Sequence, residues 1–132
     1  MKISGGLIMN QNDYNDIALS LAGMLNALSH PARLQIMLHL AKYNGCQARS
    51  ISERLPLAKS TVSEHLNKLK DAGLITCEAD GTSSFYQINE QRYALLQDGF
   101  SDFIHLMEKN RAEPQRCCPA QQKQQKIVSE LA

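Results

Sequence analysis

The sequence predicts a mainly α chain with one small β-hairpin, in the order α-α-α-α-β-β-α. Apolar residues recur at three- and four-residue spacing in five stretches, and glycine or proline separates one stretch from the next. One pair of short alternating runs lies between the fourth and fifth stretches. With 132 residues, 43% of them hydrophobic and 20% charged, the chain has room for one domain with a real core. It is neither disordered throughout nor membrane-spanning, because no apolar run approaches the roughly 18 to 20 residues a transmembrane helix needs. The segment after Lys2 is too short and too broken by glycine to be an export signal, so a cytoplasmic protein is expected. The expected organisation is a flexible arm over residues 1–12, a domain over 13–109 and a Cys/Gln/Lys-rich tail over 110–132.

The first helix, Asp13 to Leu28, rests on Ile17, Leu21, Met24, Leu25 and Leu28. Ser29 or His30 then caps a second helix, with Pro31 in its first turn, where a missing N–H costs nothing. That helix runs to about Tyr43, and Asn44 with Gly45 stops it. Ser50, Ile51, Ser52 and Glu53 fit a capping box and open a short third helix, which Pro56 closes. A tight connection leads to the fourth helix, Lys59 to Leu74, so the third and fourth form a helix-turn-helix. Leu74 to Ala79 and Phe85 to Ile88 alternate as two strands, joined through residues 80–84. A hairpin directly after a helix-turn-helix makes a winged helix. The fifth helix, Glu90 to Lys109, sets Tyr93, Leu96, Phe100, Phe103 and Met107 on one side. That seam exceeds the need of one small domain. Packing with the first helix across a two-fold axis is expected, the alternative being core packing within one subunit.

The fourth helix carries the chemistry. Val62, Leu66 and Leu69 fall on one stripe, which leaves Ser60, Glu64, Asn67 and Lys68 facing outward. Hydroxyls, an amide and an ammonium group are the groups that bond base edges and phosphates in a major groove. The hairpin tip, with Ser83 and Ser84, suits phosphate or minor-groove contact. The formal net charge is only +1, yet Pro31 to Ile75 holds seven Lys or Arg (Arg33, Lys42, Arg49, Arg54, Lys59, Lys68, Lys70) against Glu53, Glu64 and Asp71. The basic excess surrounds the helix that would need it for DNA.

Three patterns together resemble the ArsR/SmtB family of bacterial winged-helix repressors: ALSHPARLQIMLHL from Ala27, STVSEHLNKLKDAGLI from Ser60 and GTSSFYQIN from Gly81. They span roughly residues 15–108. The resemblance implies a homodimer joined through its first and last helices. It would bind a double-stranded pseudo-palindromic operator with half-sites about 34 to 36 Å apart. Transferred by position, the DNA contacts are Ser60, Ser63, Glu64, Asn67 and Lys68, with Lys59 on phosphate. Glu64 departs from the histidine the family often has there. A carboxylate beside phosphates is costly unless it accepts from a cytosine amino group.

The family's effector sites match poorly. Its arsenic-type cysteine positions fall on Gln47 and Arg49, and its zinc-type positions on Asn89, Gln91, Asp102 and His105, so neither site is made. The four cysteines are Cys46, Cys77, Cys117 and Cys118, read as thiols, with Cys77 expected to be buried in its strand. Cys117 and Cys118 are adjacent, about 3.8 Å between Cα atoms, too close for an unstrained mutual disulfide. Two thiols beside Arg116 would suit a soft ion such as trivalent arsenic, and Cys46 is the preferred third sulfur. Some arsenic-responsive members of the family are expected to carry such a pair. A thiol redox or reactive-sulfur switch and a regulator without a small effector remain alternatives. An enzyme is not expected, and a thiol enzyme or metal-sequestering protein is only the remote alternative, because the tail offers Arg, Lys and Gln but no general base beside the thiols.

Overall fold

The computed structural model describes residues 11–117. Most of the expected arm, Cys118 and the rest of the tail lie outside the described residues. The elements are α1 (Gln11–Leu28), α2 (Pro31–Lys42), β1 (Cys46–Gln47), α3 (Ala48–Arg54), α4 (Lys59–Asp71), β2 (Ile75–Asp80), β3 (Ser83–Ile88) and α5 (Glu90–Ala112). The chain divides into two units, Met1–Asp102 and Phe103–Ala132.

The first unit is a winged helix-turn-helix. Its core takes one stripe from each helix before the wing: Met24 and Ala27 of α1, Ile36 and Leu40 of α2, Ile51 of α3, and Val62, Leu66 and Leu69 of α4. Leu74 and Ile75 close it at the start of the wing. Ile36, Ile51, Leu66, Leu69 and Leu74 are fully buried. Burying a side chain of this size is worth about 1.5 to 3 kcal/mol, so these residues fix how α4 sits on α2 and α3.

Local chemistry sets the helix ends. His30 caps α2: its Nδ1 accepts from the Ala32 N–H at 3.0 Å, and Pro31 occupies the first turn, as the sequence predicts. At the end of α4, Leu74 N–H donates to Leu69 C=O at 3.0 Å and Gly73 N–H to Lys70 C=O at 2.9 Å. This is a Schellman closure, with Gly73 at φ +78°.

Five expectations need correction. The capping box at Ser50 is not formed: α3 starts at Ala48 after Gln47, which makes no side-chain cap, and Ser52 Oγ donates to the Arg49 carbonyl inside the helix. The sheet has three strands in the order β1-β3-β2, because Cys46 and Gln47 pair with Tyr86 and Phe85. The wing turn is only two residues long, since Asp80 pairs with Ser83 and Ala79 with Ser84, leaving Gly81 and Thr82 at the tip. Gly81 has φ +64° and Thr82 is not at positive φ, the sign pattern of a type II′ hairpin. Finally, Cys77 is exposed, because only Ile75 of β2 reaches the core while the rest of the strand stands off it. The fifth helix also runs three residues past its expected end, to Ala112.

Candidate nucleic-acid interface

Along α4, Val62, Leu66 and Leu69 point inward and Lys59, Ser60, Ser63, Glu64, Asn67 and Lys68 are all exposed. Ser60, Ser63, Glu64 and Asn67 follow i, i+3, i+4 and i+7, so they form one outward stripe. Lys59 stands at the first turn, after an N-cap residue, Ala58, that has no side-chain cap to offer. The first-turn N–H groups and the positive end of the helix dipole thus lie beside an ammonium group, a combination that favours a phosphate. Thr61 is exposed as well, and its hydroxyl donates to the Ala58 carbonyl at 2.8 Å.

A polar tie holds α4 to α2 besides the apolar stripe. Arg33 of α2 is buried; its Nε donates to the Ala27 carbonyl and its Nη1 lies 3.2 Å from His65 Nδ1 on α4. The rings of His30 and His65 are 4.5 Å apart. Burial lowers the His65 pKa, and the positive charge of His30, Arg33 and Lys68 lowers it further, against the opposing pull of Glu64. None of this tie was legible as a site in the sequence, where Arg33 counted only toward the charge balance.

In the wing, Ser84 is exposed and Ser83 half-buried, and both belong to the β3 ladder. Thr82 at the tip was missed as a candidate and is exposed. Position within the turn, which depends on register, is what the sequence left out. The basic balance is softened at Arg49, whose Nε meets Glu53 Oε1 at 3.1 Å on the surface of α3. Such an exposed pair is worth little.

The cysteines are placed differently from one another. Cys46 is buried; its Sγ donates to the Tyr43 carbonyl at 3.4 Å and lies 3.6 Å from His39 Nε2. Burial pushes its pKa up, with Arg54 pulling the other way, so it is a neutral thiol near pH 7. His39 is held below the ordinary imidazole value by burial, then by Arg54 and Lys42. Both cations also lie over the Tyr43 ring, Arg54 at 4.7 Å and Lys42 at 5.3 Å. Cys77 faces Tyr86 across the β2–β3 ladder. Cys117 is exposed in the second unit, and Cys118 lies outside the described residues. Among the described residues no group of three His, Cys, Asp or Glu gathers as a metal site.

Between α1 and the first part of α5 lies an apolar groove of about 350 Å³, lined by Leu25, Leu28, Tyr93, Leu96 and Phe100. No residue of α5 is buried. In the second unit, Phe103, Ile104 and Met107 are exposed too.

Residues 30–76 match the family described as bacterial regulatory protein, arsR family. The chain is 34% identical over 70 residues to the HTH-type transcriptional regulator YgaV of Escherichia coli K12, a match covering 53% of this chain and 71% of that protein. It is 37% identical over 65 residues to the arsenical resistance operon repressor of Bacillus subtilis, covering 49% of this chain and 62% of the relative. Among solved structures, an ArsR-like transcriptional regulator from Rhodococcus sp. RHA1 superposes with a TM-score of 0.63 at 23% identity, over 74% of this chain and 91% of that one.

Proposed function

The chain belongs to the arsR family of bacterial regulatory proteins, DNA-binding transcriptional regulators rather than enzymes, and from that premise we propose that it is a dimeric cytoplasmic repressor released from its operator by a thiophilic metalloid. The observation that carries the DNA-binding part is the outward stripe of α4. Ser60, Ser63, Glu64 and Asn67 would read base edges, Lys59 and Lys68 would hold phosphates, and Thr82, Ser83 and Ser84 of the wing would touch the backbone. The groove between α1 and α5 supports the dimer. Apolar side chains at 36% exposure or more, as Leu25, Tyr93 and Phe100 are, suit a self-complementary two-fold contact. No helix among the described residues is long and apolar enough to cross a membrane.

The effector reading rests on the adjacent thiols Cys117 and Cys118 and on the similarity to a repressor of arsenical resistance. Two thiolates would bind trivalent arsenic, and a third donor would complete a trigonal site. Cys46 would have to leave its contact with the Tyr43 carbonyl, and become a thiolate, to serve as that donor.

One experiment tests both parts. Fluorescence anisotropy on a selected pseudo-palindromic duplex is expected to show salt-dependent binding, weakened by about 1 to 3 kcal/mol in Asn67→Ala. Arsenite should release the wild type and spare the Cys117→Ser, Cys118→Ser double variant. Equal release of both proteins would remove the tail thiols as the sensor, and unchanged binding by Asn67→Ala would remove that residue from the contact set.

A further inference from the structure

We propose that His30, Arg33 and His65 form a proton-sensitive clamp that positions the recognition helix α4, so that operator affinity falls on mild acidification. The hydrogen bonds fix which ring atoms must be unprotonated. A backbone N–H only donates, so His30 Nδ1 accepts from Ala32 at 3.0 Å. A guanidinium also only donates, so His65 Nδ1 accepts from Arg33 Nη1 at 3.2 Å. Both imidazoles therefore spend the Nδ1 lone pair on a bond that protonation removes.

Arg33 cannot step aside when that happens. It is buried, and its Nε is committed to the Ala27 carbonyl at the end of α1. His30 is exposed and meets solvent directly, while its ring is 4.5 Å from that of His65. The charged groups facing His65 are His30 and Arg33 from the α2 side and Glu64 and Lys68 from its own helix. Glu64 is the one acid among them, and it is exposed. A proton on either ring thus sets positive charge against Arg33 with little to offset it, removes the cap of α2 or the α2–α4 tie, and loosens the seat of the helix that carries Ser60, Glu64 and Asn67.

The sign of the effect is informative. Extra positive charge by itself strengthens binding to a polyanion, so simple electrostatics predicts tighter binding at low pH. The clamp predicts the reverse. The inference rests on the DNA-binding reading, and the test separates the two.

Operator affinity of the full-length protein is measured from pH 7.5 to 5.5 on the duplex it selects from a random pool, each protein compared with its own value at pH 7.5. The wild type is expected to weaken roughly tenfold, the scale of one lost cap and one lost hydrogen bond. His30→Asp keeps a cap acceptor that stays ionised down to about pH 4, and His65→Asn keeps an acceptor that does not titrate. His65→Asn should lose the share of the pH dependence that the α2–α4 tie carries, His30→Asp only the share that the cap carries, and the double variant most of it. In parallel, ring resonances of the free protein should show His65 titrating below the ordinary imidazole value, and moving up in His30→Asp. A wild-type affinity that is flat or rises on acidification overturns the clamp, as does an unmoved His65 titration. Failure to bind any duplex at pH 7.5 contradicts the regulator reading itself, and the ring titration then still decides the clamp.

Discussion

At Gly73 the chain leaves α4 through a φ of +78°, and a Cβ built there would lie 2.9 Å from Arg92 Nε. Two hydrogen bonds of the Schellman closure depend on that conformation, and Leu74, the next residue, is fully buried. Gly73→Ala is expected to destabilise the fold by about 1 to 2 kcal/mol, the cost of an L-residue in the left-handed region. Urea unfolding should show a lower midpoint with an unchanged slope. A midpoint within error of the wild type would mean that the helix exit relaxes freely. Gly73 was legible from the sequence because it follows an amphipathic run. Arg33 and His65 were not: a basic residue and a histidine at helical spacing look like surface, and only the packing of α2 on α4 makes them partners.

Element by element, the five helices follow from apolar periodicity, since each presents a stripe that the core or the α1–α5 groove takes up. What periodicity could not supply is β1. Two residues are too few to show an alternation, and Cys46 and Gln47 become a strand only because Tyr86 and Phe85 lie opposite. The false capping box at Ser50 has the same origin, for the chain enters α3 directly from β1 and leaves no room for a separate cap. The apolar face of α5 makes a prediction of its own. Phe100→Glu should shift a dimer to monomer in sedimentation at micromolar concentration. Replacing a Phe that the two-fold contact would cover on each side weakens association by roughly two orders of magnitude or more. An unchanged sedimentation coefficient would place the dimer contact elsewhere.

For the whole molecule, two histidines are expected to contribute to the loss of stability in acid. His39 and His65 both lie below the ordinary value of 6.5, each through burial first and then through nearby positive charge. A base with a depressed pKa binds more protons unfolded than folded between those values, so its contribution is fully present above pH 6.5 and is lost as the pH falls below it. The urea midpoint should therefore drop between pH 7.5 and 5.0, and less so in a His39→Gln, His65→Asn double variant than in the wild type. Identical pH profiles for the two proteins would show that other groups govern acid unfolding. At this scale the charge balance was readable in advance, whereas the burial that moves each imidazole was not. The short strand β1 also has a consequence for rebuilding the protein. Its pairing of Cys46 with Tyr86 brackets α3, α4 and most of the wing in a single stretch whose two ends already meet. That stretch is closed at its two chain ends, and a replacement of the same span would have to keep Ile51, Val62, His65, Leu66 and Leu69 as its joints to α1 and α2.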